Sequence, residues 1–423
     1  MQLTEKIRIF PTPEQEEVLW HLSEQCRLIY NFALAERRKE WELNNLKCSF
    51  DVFPWGKPKY EIKYKKQQND LPAIKEKYPR YSVVYSKVLQ MVLRGLDGDY
   101  ESFIQQRVNG DADSHPPGFK GKSFFTTMMY NQSGFKIKDG KISLSHFYNE
   151  VPLVFELLRN YKRVYQVTVF QKDEKYYLGI VHEVPEKPYV DNGLYQAIDL
   201  GITKTITAVN TESKFYEATN PRPDKYWNPK VDELQSRRDH CIKGSRHWHR
   251  LDRAKNKLTR KCSNQIKDIQ HKLTRKMVDN TRANTIIIGD LDVKEMAQSK
   301  KTKLPKKAKK SLNRSTQNNG YLSQFVRFLT YKAALIGKKV IEIDERGTSK
   351  RCYVCGKTHD MPLWKRTMEC DCGNVIDRDR NSSIYIMLRF LSQNAMWTGY
   401  QLFVGNLRQT GLMLPKQAPQ AYS

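Results

Sequence analysis

Apolar and polar positions change their period several times along the 423-residue chain. Leu3 to Phe10 alternates as a short strand. Thr12-Pro13 then opens a helix: Thr12 caps it, Pro13 takes the first helical position and Gln15 completes a capping box. Val18, Leu22, Cys26, Ile29 and Ala33 recur at helical spacing. Residues 42–120 mix helical pieces rich in Lys and Tyr with breaks at Pro58, Pro72, Pro116 and Pro117, and the pattern does not order this stretch. Near residue 119 the period switches to that of strands. Phe135 to Leu144 alternates around Asp139-Gly140, a hairpin pattern, and Val164–Phe170 with Tyr176–Val184 makes a second hairpin around residues 172–175. Residues 119–184 thus read as a small β-barrel or sheet that includes the first strand, with the helices between as an insertion. Pro185-Glu-Lys-Pro188 reads as a linker.

Beyond the linker the pattern is α/β. Tyr195–Asp199 and Thr205–Val209 read as strands joined at Gly201. A long basic helix follows, with Trp248, Leu251, Leu258, Cys262, Ile266, Ile269, Leu273 and Met277 on one face. Thr285–Ile288 is a buried strand, Tyr321–Ile336 a helix ended by Gly337, Lys339–Asp344 another strand, and Asn381–Leu391 an apolar helix. The last 30 or so residues carry no motif and are expected to be disordered.

Composition narrows the partners. Lys and Arg exceed Asp and Glu by 27, which predicts a polyanionic partner. No run of about 18 apolar residues suggests a membrane span, and the first ten residues lack a secretory pattern, so a cytosolic protein is expected. In a reducing compartment the scattered Cys26, Cys48, Cys241 and Cys262 read as packing residues. Cys352-x-x-Cys355 and Cys370-x-Cys372 read as two knuckles of a structural zinc site. His240, Cys241, His247 and His249 are spaced too irregularly for a second one.

Two carboxylates carry candidate chemistry. Asp199 ends a buried strand before Gly201, and Asp379 stands in Asp377-Arg-Asp-Arg-Asn381 at a helix start. Together they could hold Mg²⁺ for phosphodiester cleavage; singly, Asp199 could merely end its strand and Asp379 cap its helix. Lys300, Lys301, Lys303, Lys306, Lys307, Lys309 and Lys310 form a run without acids, read as a loop over a nucleic-acid cleft, with a solvated loop or a localisation signal as the alternatives. Lys120, Lys122 and Phe124 mix bases with an aromatic, which suits backbone neutralisation with stacking and equally an ordinary packed strand.

Four segments in order resemble the TnpB family of transposon-encoded, RNA-guided nucleases, relatives of the type V CRISPR effectors. They are Ile198-Asp-Leu-Gly201; Ile286-Ile-Ile-Gly-Asp-Leu291 with Val293-Lys-Glu-Met296; Thr348-Ser-Lys-Arg-Cys-Tyr-Val-Cys-Gly356; and Cys372-Gly373 leading to Asp377–Asn381. The opening Phe10–Gln15 and Tyr30-Asn31 fit as well, so the resemblance covers residues 1–390. It implies an α+β multidomain protein. A wedge-like β-barrel (1–10 and 119–184) would hold a helical recognition insertion (11–118). An RNase H-like, RuvC-type nuclease domain (191–346 and 377–390) would follow, split by a zinc ribbon (347–376) that contacts nucleic acid, with a tail from 391. It further implies Asp199 and Asp379 as Mg²⁺ ligands. The family's usual Glu after the second nuclease strand is Gly289 here. Asp290 lies one residue late, which turns its side chain to the other face. Glu345, after the strand ending at Asp344, is the expected third ligand and Asp290 the alternative. The implied activity is RNA-guided DNA cleavage by a monomeric ribonucleoprotein in a prokaryotic cytosol or nucleoid. A transposon-end guide RNA would pair with double-stranded target DNA beside a short flanking motif. Gly289 keeps a nuclease-dead, guide-dependent repressor open, and a guide-free zinc-ribbon DNA-binding protein is a third reading.

Overall fold

The computed structural model of the protein describes residues 1–49, 62–111, 113–290, 322–362 and 364–412. The chain divides into two compact units, Met1–Pro185 and Glu186–Ser423.

In the first unit, strand β1 (Gln2–Ile9) leads into helix α1 (Pro13–Ser49). The entry to α1 is a reciprocal cap: the Gln15 N–H donates to Thr12 Oγ1 at 3.3 Å and the Thr12 N–H to Gln15 Oε1 at 3.1 Å. Helices α2 (Tyr64–Lys77) and α3 (Ser86–Val108) follow. Then come β2 (Met128–Asn131), β3 (Phe135–Lys138), β4 (Lys141–Leu144), β5 (Leu153–Glu156), β6 (Val164–Lys172) and β7 (Lys175–Glu183). Both expected hairpins form. Their turns put Asp139 and Gly140, then Asp173 and Glu174, at positive φ, the twist that suits two-residue hairpins.

The β-barrel expectation is corrected. The described strands form two open sheets, one ordered β1-β7-β6-β2 and one ordered β3-β4-β5, and β1 and β2 stay separate as the two edges of the larger. A small barrel fills its interior with its own strand side chains. Here Val167, Val169, Leu178 and Ile180 of the sheet share one core with Val18 and Leu22 of α1 and Leu89 and Leu93 of α3. The helices do the work that closure would do. Residues 119–127 are not a strand either: Phe119 and Phe124 are about half exposed, and regular pairing starts at Met128.

The second unit is built on β8 (Tyr195–Leu200), β9 (Lys204–Asn210), β10 (Phe215–Thr219), helices α4 (Pro223–Asp239) and α5 (Arg246–Asn280), β11 (Thr285–Asp290), α6 (Leu322–Leu335) and β12 (Lys339–Asp344). A short hairpin, β13 (Thr367–Glu369) and β14 (Val375–Asp377), precedes α7 (Arg378–Gln393) and α8 (Trp397–Gln409). The sheet runs β10-β9-β8-β11-β12; the first three strands are antiparallel, and β8, β11 and β12 are parallel. Burial on both faces explains the near-continuous apolar run in β11.

Strand alternation sorts the side chains. Ile198, Leu200, Ile286 and Ile288 pack with Met277 and Val278 of α5 and Phe325 and Leu329 of α6. Tyr195, Ala197 and Ile287 face the opposite way, against Ile384 and Leu388 of α7, Phe403 of α8 and the cysteine region. The next outward step of β8 and β11 on that second face falls at Asp199 and Gly289, at the carboxyl ends of the strands.

The tail expectation is also corrected. Residues 397–409 form α8, which buries Phe403, Val404 and Leu407. The spacing i, i+1, i+4 of these three was a helical signal. Strand β10 and helix α4 were likewise not anticipated: both have weak apolar patterning, and β10 is a half-buried edge strand. Phe403 is fully buried against the second face, so Phe403→Ala is expected to destabilise the second unit by about 3–5 kcal/mol. Denaturant unfolding followed by fluorescence would measure it, and a cost under about 1 kcal/mol would mean that α8 is not part of the core.

Candidate functional site

Three carboxylates reach one edge of the sheet from three separate segments. Asp199 is the penultimate residue of β8. Asp379 lies in the first turn of α7, and it is not the cap: Asp377 caps the helix, accepting from the N–H groups of Asp379 and Arg380 at 3.0 and 3.2 Å. That frees the Asp379 carboxylate, which has the Arg366 guanidinium 3.7 Å away. Glu345 follows β12 directly, in step with Ile341 and Ile343 on the α7 side of the sheet.

Gly289 explains how Glu345 gets there. A Cβ built on Gly289 would collide with Glu345 Oε2 and lie 2.8 Å from its Cβ and 3.0 Å from its Cδ. The Glu345 side chain therefore occupies the space that any side chain at 289 would need. In register, Ile288 sits beside Ile198, so Gly289 falls beside Asp199 and Glu345 is carried into the same place. Asp290 is exposed and pairs in register with Asp344, on the α5 and α6 side. By strand alternation it shares the face of Ile286 and Ile288, although its charge still reaches Glu345.

Two hydroxyls that the sequence reasoning did not single out tie these segments together. Ser382 Oγ donates to Asp199 Oδ1 at 3.0 Å, and Thr348 Oγ1 is 2.9 Å from Ser382 Oγ; Thr348 and Ser382 are almost wholly buried. Because an ionised Asp199 can only accept, the chain runs from Thr348 through Ser382 to Asp199. Asn381 beside them holds the loop below: its Nδ2 donates to the carbonyls of Thr348 and Arg351, and its Oδ1 accepts from the Tyr353 N–H. Three consecutive small polar residues, 381–383, between the charged start of the helix and the apolar run 384–388 were the available signal.

The cluster is electrostatically tense. Burial, then the charges of Glu345 and Asp379, holds the Asp199 carboxyl well above the ordinary range; Ser382 and Arg378 pull the other way. Glu345 is pushed up to about 7 by burial, then by Asp290 and Asp344. Asp379 is raised by burial against the opposing charge of Arg366. Glu345 Oε2 is buried with no hydrogen-bond donor among the described residues. A buried carboxylate oxygen without a donor, among other carboxylates, has the donor chemistry of a hard divalent cation site. The three groups do not all fall within 4.8 Å of one another.

The cysteines form the second centre. The Sγ atoms of Cys352, Cys355, Cys370 and Cys372 all lie within 4.8 Å of one another, with Cys352–Cys372 at 3.7 Å and Cys355–Cys370 at 3.5 Å. Four sulfurs at about 2.3 Å from a tetrahedral zinc lie about 3.8 Å apart, so the set fits Zn²⁺. Each knuckle turns on a glycine at positive φ, Gly356 and Gly373, after its second cysteine. Asn374 Nδ2 donates to Cys352 Sγ at 3.2 Å. The tighter second knuckle, with one residue between Cys370 and Cys372, closes without disturbing the cluster.

The remaining candidates fall elsewhere. Lys300, Lys301, Lys303, Lys306, Lys307, Lys309 and Lys310 lie outside the described residues. Lys120 is half-buried with its ammonium 3.6 Å from the centre of the Tyr30 ring, and its carbonyl accepts from Arg27 and Asn31. Lys122 and Phe124 are exposed beside it. His240 Nδ1 bonds the Ser236 carbonyl.

A sheet edge carrying three converging carboxylates next to a four-cysteine knuckle defines an α+β protein with two candidate metal centres. Three family descriptions match along it: a helix-turn-helix domain over residues 1–45, a probable transposase over 179–300 and a Cas12f1-like TNB domain over 323–386. In the first stretch the structure has β1 and one unbroken helix. A Streptomyces pristinaespiralis protein named "Putative RNA-guided DNA endonuclease" is 25% identical over 98% of this chain and 96% of its own. A TnpB-like protein of Acanthamoeba polyphaga mimivirus is 31% identical over 34% of this chain and 26% of its own. The Cas12f1–sgRNA–target DNA complex contains a chain of the same fold, with TM-score 0.56 and 15% identity, covering 89% of this chain and 83% of that one. These matches make the chain similar to TnpB-like proteins and to the Cas12f1-like TNB domain along successive segments.

Two measurements test the centres. A carboxyl whose value is raised on folding stabilises the fold below its unfolded value and loses that contribution as pH rises to its folded value, here from 4.5 to about 7. Glu345→Gln is therefore expected to stabilise the Mg²⁺-free, zinc-loaded protein at pH 8 by about 1–3 kcal/mol and to have little effect at pH 4. Equal melting shifts at both pH values would mean that Glu345 is not strained by its surroundings. Cys352→Ser is expected to release bound zinc and open residues 346–376 to hydrogen exchange while the sheet stays protected; a wild-type protein without zinc would refute the assignment.

Proposed function

We propose that the chain is an RNA-guided DNA endonuclease whose RuvC-like site is completed by Glu345 in place of the residue missing at position 289. The carrying observation is the seating of Glu345 over Gly289, beside Asp199 and on the α7 side of the sheet. Three antiparallel strands followed by two parallel ones, with carboxylates at their carboxyl ends, support the RNase H-like reading of residues 191–346 and 377–390. The four-cysteine segment between β12 and α7 supports a zinc ribbon inserted over 347–376.

Asp199, Glu345 and Asp379 would hold two Mg²⁺, which when bound supply an activated water and charge neutralisation at the scissile phosphate. The chain's own part is to fix those carboxylates. Ser382 orients Asp199, and the capping of α7 by Asp377 leaves Asp379 free. Arg366, Arg378 and Lys204 line the same edge and offer positive charge to a phosphate backbone. Helix α5, with eleven Lys and Arg against three Asp, supplies a basic surface for the nucleic acid. A transposon-end guide RNA would read the target by base pairing, and the protein would read duplex shape and a short flanking motif. A monomeric ribonucleoprotein meeting DNA in the cytosol or nucleoid completes the proposal.

Gly289 is the observation that favours a nuclease-dead, guide-dependent repressor, and the filled space above it weighs against that reading. Cleavage assays on the purified ribonucleoprotein with Mg²⁺ decide. Glu345→Ala is expected to lower cutting by at least a thousandfold while guide-dependent binding of matched DNA stays within a few-fold, and Asp199→Ala and Asp379→Ala to behave alike. Asp290→Ala should still cut. A wild type that binds matched DNA but never cuts would establish the repressor reading. Equal DNA affinity with and without RNA would favour a guide-free binder.

A further inference from the structure

Moving a metal ligand from a strand to a turn has a mechanical consequence. A strand residue is held by ladder bonds on both sides, and a turn residue is not. Glu345 stands just past the last paired residue of β12, and the chain then turns through exposed Arg346 and Gly347, the latter at φ 80°. Left to itself, such a turn would let the carboxylate wander by more than the roughly 0.5 Å that metal chemistry tolerates.

Within the turn the Asp344 carboxylate accepts from the Arg346 N–H at 2.9 Å, and one side chain from outside the turn brackets it. Arg389 Nη1 donates to the Asp344 carbonyl at 2.6 Å and Nη2 to the Arg346 carbonyl at 3.1 Å. These carbonyls lie on either side of Glu345, so a single rigid guanidinium brackets that residue's backbone. Arg389 comes from α7, the helix that bears Asp379 and Ser382, and it is only 7% exposed. Among the described residues it makes no ion pair, and its guanidinium carbon lies 5.1 Å from the centre of the Tyr385 ring. Burying a cation against carbonyl dipoles is costly, and packing alone would be served better by an apolar side chain. The turn is tied to α7 a second time through Thr348, whose N–H donates to the Glu345 carbonyl at 3.0 Å and whose hydroxyl meets Ser382.

We infer that Arg389 is a positioning residue for Glu345: its fork locks the turn to α7 and so sets the spacing of the Glu345 carboxylate to Asp199 and Asp379. The inference rests on the reading of Glu345 as a metal ligand. It requires the planar fork, because a lysine can reach one carbonyl but cannot bridge two at fixed separation.

Mn²⁺ binding to the full ribonucleoprotein, followed by electron paramagnetic resonance of the free ion, tests it in the wild type, Arg389→Met, Arg389→Lys, Glu345→Ala and the Glu345→Ala/Arg389→Met double variant. Zinc content serves as the check that the unit is folded. Both Arg389 variants are expected to weaken Mn²⁺ binding by about 10–100-fold with zinc retained. The Mg²⁺ dependence of cleavage should shift by the same factor, and the rate at saturating Mg²⁺ should recover. The double variant should bind no more weakly than Glu345→Ala alone. If Arg389→Met unfolds, Arg389→Lys carries the comparison. Wild-type Mn²⁺ affinity in a folded Arg389 variant, with Glu345→Ala weakened, would overturn the positioning role alone. Wild-type affinity in Glu345→Ala would instead overturn the ligand reading on which it rests.

Discussion

The space over the Gly289 backbone admits one side chain, and Glu345 fills it. Much of the site follows from that exclusion. With no Cβ at the end of β11, the neighbouring turn can fold across the sheet edge and deliver a carboxylate from β12 to the flank of Asp199. The exchange is steric before it is electrostatic: any residue larger than glycine at 289 would displace Glu345. A carboxylate at one position thus forbids one at the other, and the pair must change together.

The same edge shows why a strongly basic protein keeps an acidic cluster. The chain carries a formal charge of +27, yet Asp199, Glu345, Asp379, Asp344 and Asp290 gather at neighbouring strand ends and the start of α7. Burial first, and then neighbouring carboxylates, raise the carboxyl values at Asp199 and Glu345, while burial raises Asp379 against the charge of Arg366. Such an arrangement costs stability in the absence of a cation and recovers it when cations bind, so the folded scaffold must supply the restraint. The apolar sandwich of α5 and α6 on one face and α7 and α8 on the other is that restraint.

How much of this was legible in the sequence depended on the range of the interaction. Local chemistry read well: the Thr12–Gln15 cap, the Asp139-Gly140 hairpin, the apolar β11 and the paired cysteines each contain their own cause. The face assignment of Asp290 also followed from strand period alone. What failed was set at long range. Whether the first unit closes into a barrel depends on what fills the concave side of its sheet, and α1 and α3 fill it from a distance in sequence. Residues 397–409 carry a short apolar pattern whose partner, Tyr195, lies two hundred residues upstream. Ser382, Thr348 and Arg389 were invisible for a different reason. A serine or a buried arginine has no preferred role until its acceptor is known, and here the acceptors are Asp199 and two carbonyls of a turn.

Helix α7 is the element on which these threads meet. Its N-terminal turn presents Asp379, its second turn reaches Asp199 through Ser382, and its last full turn holds the Glu345 loop through Arg389. Asn381 on the same helix anchors the chain as it enters the cysteine knuckles. A displacement of the ribbon would therefore pull on the helix that spaces all three carboxylates. The coupling needs no separate relay, because a single rigid helix with a buried apolar face moves as one body. Under the proposed function, nucleic acid at the cysteine knuckles and cations at the carboxylates would act on the same element, and each would feel the other in proportion to how far α7 must shift.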